Sequence, residues 1–364
     1  MKAIPRLPLA TALAAMLCGG GAAHAQVTVY GIVDAAVSRT TNADTAGNGV
    51  TKVSALSGSV PSRIGFRGSE DLGGGLSAVF ALEGGFNPDS GVSGQGGRLF
   101  GRQAWIGLKG NWGTLQVGRI LNMTFLATAK SDVLGPNLFS ISSIDLYLPN
   151  ARSDNAVGYL GSFGGFTVGA TYSLGRDASA AGGPSATNCG GEVVGNSKAC
   201  RQVTALLGYD AAAYGATVSY DKLYGNAGAA GGLTSSERFD RRVTVNGYAM
   251  LGATKVGAGI IDRKLDAATG VAESDLVYLG ISHPLAPGLT LDAQVARKDV
   301  KRSADDTKMA VARLTYAFSK RTAVYGAVGR MDNDGLAAVG LDLGGTVAPG
   351  GAQNGVMAGL RHSF

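Results

Sequence analysis

Hydrophobic and polar residues alternate one by one through most of the chain. The clearest case is the C-terminal run VMAGLRHSF. There Val356, Ala358, Leu360, His362 and Phe364 fall on one face, and Met357, Gly359, Arg361 and Ser363 on the other. A period of two is the mark of a strand with one face in each of two environments. Reading that period along the chain predicts sixteen strands: 27–37, 62–72, 76–86, 98–108, 113–119, 153–161, 166–174, 202–211, 214–224, 241–251, 255–263, 274–284, 290–300, 306–317, 322–332 and 356–364.

The connections between these strands alternate in length. The first, 38–61, is long and the next, 73–75, is short; 120–152 is long and 162–165 short; 175–201 is long and 212–213 short. The rule holds to 319–321 against 333–355. A soluble sandwich has no reason to keep that parity. A transmembrane barrel has tight periplasmic turns and long extracellular loops, and an even strand count. In lipid every backbone polar group must be paired, so the strands must close. The fold class predicted is all-β: a 16-stranded antiparallel transmembrane barrel, one domain over residues 26–364.

Residues 1–25 read as a cleaved signal peptide. Lys2 and Arg6 precede a short apolar run at 7–17, and Ala23-His24-Ala25 is a small-residue cleavage site. After residue 25 no apolar run reaches 18 residues, so no transmembrane helix is predicted. Glycine is 58 of 364 residues, about twice its usual share of roughly 7%, which suits tight turns and close strand packing. Removing Lys2 and Arg6 with the leader takes the formal charge from +6 to +4, with no basic runs of the kind a nucleic-acid partner would require. Cys18 leaves with the leader. Cys189 and Cys200 remain as an even pair in an exported chain, which reads as a disulfide. No cofactor or metal motif is present. Only His283 and His362 survive cleavage, and neither lies beside a nucleophile, which argues against an enzyme.

Strand parity sorts the charged residues. Arg63 and Arg67 alternate with Ile64 and Phe66 and should face the lumen. Glu83 points inward from the next strand, Arg102 from the one after, and Arg152 lies where the third long loop rejoins the wall. Low-dielectric walls focus the field of such a ring, so four arginines facing one acid favour anions. Each arginine alone is equally compatible with a solvated lumen residue or a subunit-interface ion pair. The third loop is long and apolar, with Leu134, Leu138, Phe139, Ile141 and Ile144. It is expected to fold into the barrel and narrow it, bringing Asp132 and Asp145 close to the basic wall.

SRIGFRGSEDLGGGLSAVFALEGGF, GRLFGRQAWIGLKGNWGTLQVGR, VTVYGIVDA, SKRTAVYG and the ending GLRHSF resemble the trimeric porins of β-proteobacteria. That resemblance implies a general diffusion porin in the outer membrane of a Gram-negative bacterium, passing small hydrophilic solutes and preferring anions. It further implies a homotrimer set among outer-membrane lipid and lipopolysaccharide. The arginine cluster of its anion-selective members matches Arg63, Arg102 and Arg152, with Glu83 as acidic partner. The terminal Phe364 resembles the signal read by the barrel-assembly machinery. The competing readings are a channel selective for one anion or organic acid, and a surface adhesin with a secondary pore.

Overall fold

The structure is a computed structural model that describes residues 26–179 and 187–364; the predicted leader at 1–25 lies outside the described residues. All sixteen predicted strands are present. They are β1 (Gln26–Thr40), β3 (Arg63–Gly73), β4 (Leu76–Gly85), β5 (Gln103–Gly110), β6 (Gly113–Leu121), β7 (Arg152–Phe163), β8 (Phe166–Ser173) and β9 (Gln202–Asp210) in the first half. The second half holds β10 (Tyr214–Tyr224), β11 (Phe239–Leu251), β12 (Thr254–Ala267), β13 (Gly270–Ala286), β14 (Leu289–Val300), β15 (Thr307–Ala317), β16 (Thr322–Asn333) and β17 (Ala352–Ser363). The sequence pattern does not show the short arm β2 (Val50–Val53), which pairs with the end of β1 inside the first loop.

Each barrel strand pairs antiparallel with its sequence neighbours, and β1 closes the ring by pairing with β3 through its first half and with β17 through its second. The seam is finished by the last residue. Gly31 N donates to Phe364 O at 3.1 Å and Phe364 N to Gly31 O at 3.0 Å. The Phe364 ring lies over Gly31, where a Cβ would come within 2.3 Å of it.

Two expected boundaries are corrected. Residues 98–102 are not strand: Gln95, Gly96 and Gly97 take positive φ, and this tight turn sends Arg98 to Asp177 and Asp154 across the loop. In contrast, β12 and β13 run on past the expected loop into a two-residue hairpin. Cross-strand ion pairs carry them: Lys264 to Glu273 at 2.8 Å, and Lys301 to Asp262 and Asp275 at 3.1 and 3.3 Å.

The two faces of the wall differ as a bilayer demands. Val29, Val33, Ile106, Val117, Leu207, Val245, Val295 and Leu360 are exposed on the outside. At the short-turn end, rings gather: Phe166 lies 4.8 Å from Tyr209, and Tyr316 5.2 Å from Phe318. This is the interfacial girdle of a membrane barrel.

Replacing Gly31 by Leu must displace the Phe364 ring and is expected to cost about 1–3 kcal/mol through overpacking. Gly326→Ala is the control, because the nearest atom to its new Cβ is 3.7 Å away. Heat-modifiable gel mobility should show a lower unfolding temperature for the first variant and not the second.

Candidate functional site

The third long loop, residues 122–151, lies inside the barrel. Asn122 caps α1 (Met123–Thr128) by accepting from Phe125 N at 3.4 Å, and Ser140 caps α2 (Ile141–Ile144) by accepting from Ser142 N at 3.2 Å. Leu134, Leu138, Phe139, Ile141 and Ile144 bury against inward residues of β12 to β17, among them Ile261, Leu276, Met309, Val311 and Met331. Phe139 is fully buried, and glycine at 355 makes room for it, since a Cβ there would stand 2.7 Å from the ring. The two ends of the loop are tied to one buried carboxylate on β10. Asp221 accepts from Thr124 Oγ1 at 3.0 Å, from Gln202 Nε2 at 2.8 Å and from the Tyr147 hydroxyl.

Two other loops join it, which the sequence pattern did not indicate. The return of the first loop turns inward, where Asp34 accepts from Ser59 N and Val60 N at 3.1 Å each and from the Tyr325 hydroxyl. Gly58 O then accepts from Leu138 N at 3.0 Å. From the last loop, Leu343 N donates to Leu138 O at 3.1 Å and Leu341 O accepts from Ser143 Oγ at 2.7 Å.

The basic residues stand on the facing wall. Glu83 on β4 accepts from Arg102 Nε at 2.6 Å, lies 3.7 Å from Arg63 Nε, and accepts from Tyr30 OH at 3.0 Å. Arg63, Arg102 and Glu83 are therefore brought together. Arg67 sits nearer the short turns, stacked at 5.2 Å on the Tyr30 ring, and helps line a vestibule of about 900 Å³ with Trp105 and Lys109. Arg152 stands behind Arg102 rather than in the lumen. It is 1% exposed and donates to Arg102 O at 2.8 Å and Pro149 O at 2.6 Å, bracing the point where the loop rejoins the wall.

Arg361 belongs to this wall and was not singled out from sequence, although its inward parity on β17 was legible. Its guanidinium donates to Ser59 Oγ at 3.1 Å and is an electrostatic neighbour of Arg63. Among the described residues, neither Arg67 nor Arg361 has an ion-pair partner. Tyr30 and Asp34 share an inward parity in VTVYGIVDA that could have marked them too.

The expected placement of the loop acids is corrected. Asp132 accepts from Gln294 Nε2 at 2.9 Å on β14. Burial pushes its carboxyl up despite that hydrogen bond. Asp145 accepts from Arg242 Nε and Nη2 at 2.8 and 3.0 Å on β11. Burial opposes its ionisation, but the charges of Arg242 and Arg263 outweigh it and hold the carboxyl well below its ordinary value. Both acids serve the wall that anchors the loop, away from Arg63 and Arg102. Cys189 and Cys200 are joined in a disulfide that braces the fourth long loop.

A closed sixteen-stranded barrel, apolar outside and narrowed inside by inserted loops, defines an outer-membrane channel. The chain belongs to the Gram-negative porin family, which matches residues 10–336. It is 31% identical to outer membrane porin protein 32 of Delftia acidovorans, over 96% of this chain and 98% of that one. It is also 38% identical to an outer membrane porin protein of Bordetella pertussis, over 46% of this chain and 47% of that one. Among solved structures, the anion-selective porin from Comamonas acidovorans superposes with a TM-score of 0.78 at 26% identity, covering 94% of this chain and all of that one. The protein is thus an outer-membrane diffusion porin, and its relatives point to a channel rather than an enzyme.

Phe139→Ala should loosen the inserted loop by about 3–5 kcal/mol of packing, raising single-channel conductance and current noise while the barrel still migrates as a folded band. The Asp145 carboxyl, depressed in the folded state, stabilises the loop fully above the ordinary carboxylate range and loses that contribution progressively as pH falls from that range through its depressed midpoint. Asp145 should therefore add no pH dependence to the current noise between about pH 7 and 5. Asp145→Asn should be noisier throughout that range.

Proposed function

We propose that this porin prefers anions and that Arg63 and Arg102, opposed at the constriction by Glu83 alone, set the preference. One observation carries the reading: Glu83 is shared between both arginines and Tyr30, so it cancels one charge of the pair. Arg67 below adds charge that no ion pair among the described residues offsets, Arg361 beside shares the Ser59 hydroxyl with the Asp34 carboxylate opposite it, and Arg152 holds the loop's return in place behind Arg102. The loop acids Asp132 and Asp145 take no part at this wall. In a narrow aqueous path between low-dielectric walls, such a surplus raises the local anion concentration and repels cations. The similarity to a porin described as anion-selective supports the same reading.

The chain acts as a homotrimer in this proposal, as in the trimeric porins it resembles. Its outer face meets membrane lipid and lipopolysaccharide, and Phe364 presents the terminal ring to the assembly machinery before closing the seam over Gly31. Residues 1–25 are removed on export, leaving one barrel domain from residue 26.

The test is the zero-current potential of purified protein in a planar bilayer under a KCl gradient. Wild type should favour chloride and close in three equal steps. Arg63→Ala and Arg102→Ala should each lower the chloride preference severalfold, and the double variant, with Glu83 unopposed, should approach cation preference. Glu83→Gln should strengthen anion preference. A potential unmoved by the double variant would remove these arginines from the selectivity site.

A further inference from the structure

On the long-loop side of the constriction, the inserted loop borders a second group of charges. Arg242 on β11 is spent on carboxylates: it bonds Asp145 through Nε and Nη2 and lies 3.0 Å from Asp240 through Nη1. It is 3% exposed and stacks at 4.2 Å on the Tyr147 ring. Arg263 on β12 is different. It uses Nε and Nη2 on Asp240, at 3.0 and 2.9 Å, and its side chain keeps 29% exposure. A guanidinium carries five N–H donors, so Arg263 retains three beyond those two bonds. Lys298 on β14 shares a small cleft with Arg263 and Asp145 and makes no ion pair with a described residue. Arg242, Arg263 and Lys298 face Asp145 and Asp240, both already bonded to arginine, and Asp221, the cross-strand partner of Arg242, so Arg263 is set apart by its remaining donors and its exposure rather than by a surplus of charge.

Arg263 also lines a cavity of about 350 Å³. Its apolar walls are Leu146 of the inserted loop, Leu223 of β10, Leu233 of the loop above it and Leu265 of β12, and Asp145, Asp240, Arg176 and Arg242 line it beside Arg263. Leu223 and Leu233 pack together into one cluster with Leu265 against it. Leu223 and Leu233 belong to the buried cluster around the Cys189–Cys200 disulfide, whereas Leu146 and Leu265 keep partial exposure towards the cavity. A site with an apolar body and a few placed polar groups is the ordinary form of a small-molecule pocket, and this volume is at the small end of that class.

We propose that this cavity is a capture site for monocarboxylates with a compact apolar body, the carboxylate on Arg263 within the field of Lys298 and the body against Leu233 and Leu265. It rests on the lumen being the route of solutes. A solute held there is concentrated above the arginine wall before crossing it. Simple inorganic anions gain only the charge and acetate little besides, so the site adds a preference by apolar body that the constriction does not supply.

The experiment is calorimetric titration of the purified full-length protein in detergent with benzoate, alongside acetate and benzyl alcohol, and a KCl conductance measurement on the same preparation. Benzoate should bind saturably at one site per chain, with acetate and benzyl alcohol each at least tenfold weaker. Arg263→Gln and Leu265→Thr should each weaken benzoate at least tenfold, and Lys298→Gln severalfold; Arg263→Lys should restore part of the loss. Benzoate that does not saturate, that acetate matches, or that binds all the variants as it binds wild type overturns the proposal. An ohmic channel without benzoate binding removes the capture site alone, whereas a folded protein without ohmic current removes the pore reading on which it rests.

Discussion

A bilayer core offers the backbone no hydrogen-bond partner, and this constraint organises the rest of the molecule. Each barrel strand finds its partners in its two neighbours, so no edge can be left. β1 answers the closing problem by dividing itself between β3 and β17, and Phe364 adds the last pair of bonds at Gly31. Closure then fixes the side chains. With every strand paired on both sides, residues can point only to lipid or to lumen, and the alternation in the sequence is the imprint of that choice.

The lumen is not uniformly polar, because a loop has to be held inside it. Leu134, Leu138, Phe139, Ile141 and Ile144 of the inserted loop need an apolar surface. The inward faces of β12 to β17 supply one with Ile261, Leu276, Met309, Val311 and Met331. The wall from β3 to β5 carries Arg63, Arg67, Glu83 and Arg102 instead. The lumen is thus divided lengthwise into a side that anchors the loop and a side that carries the charged wall. The main-chain bonds from Gly58, Leu341 and Leu343 stiffen the divider, since they join the first and last loops to the same short stretch around Leu138 and Ser143.

What was legible in the sequence follows from range. Strand existence and facing are local, so sixteen strands, the inward parity of Arg63, Arg67 and Glu83, and the apolar character of the third loop could all be read directly. Boundaries failed where a local signal was overruled. Residues 98–102 alternate like a strand, but positive φ at residues 95–97 turns them aside. Residues 264–273 fall between two expected strands, yet Lys264 and Glu273 pair across β12 and β13 where the hairpin continues. The partners of Asp132 and Asp145 lie 162 and 97 residues away in sequence, and no spacing rule connects them. Arg361 meets Ser59 across 302 residues, so its parity was readable but its company was not.

The loop acids show that anchoring the constriction and setting its charge are one problem. Had Asp145 faced Arg63 and Arg102, the narrow part would hold opposed rows of charge and a weak net field. Instead Asp145 is consumed by Arg242, which is in turn shared with Asp240, and Asp132 is held by Gln294. A buried carboxylate is tolerated only where such partners compensate its lost hydration, so each acid is committed to the wall that fixes the loop. Neither acid of the loop therefore reaches the arginine wall. In the proposed reading, the positive surplus of that wall then follows from how the loop is fastened, and any change that frees Asp145 from Arg242 alters the shape and the charge of the passage together.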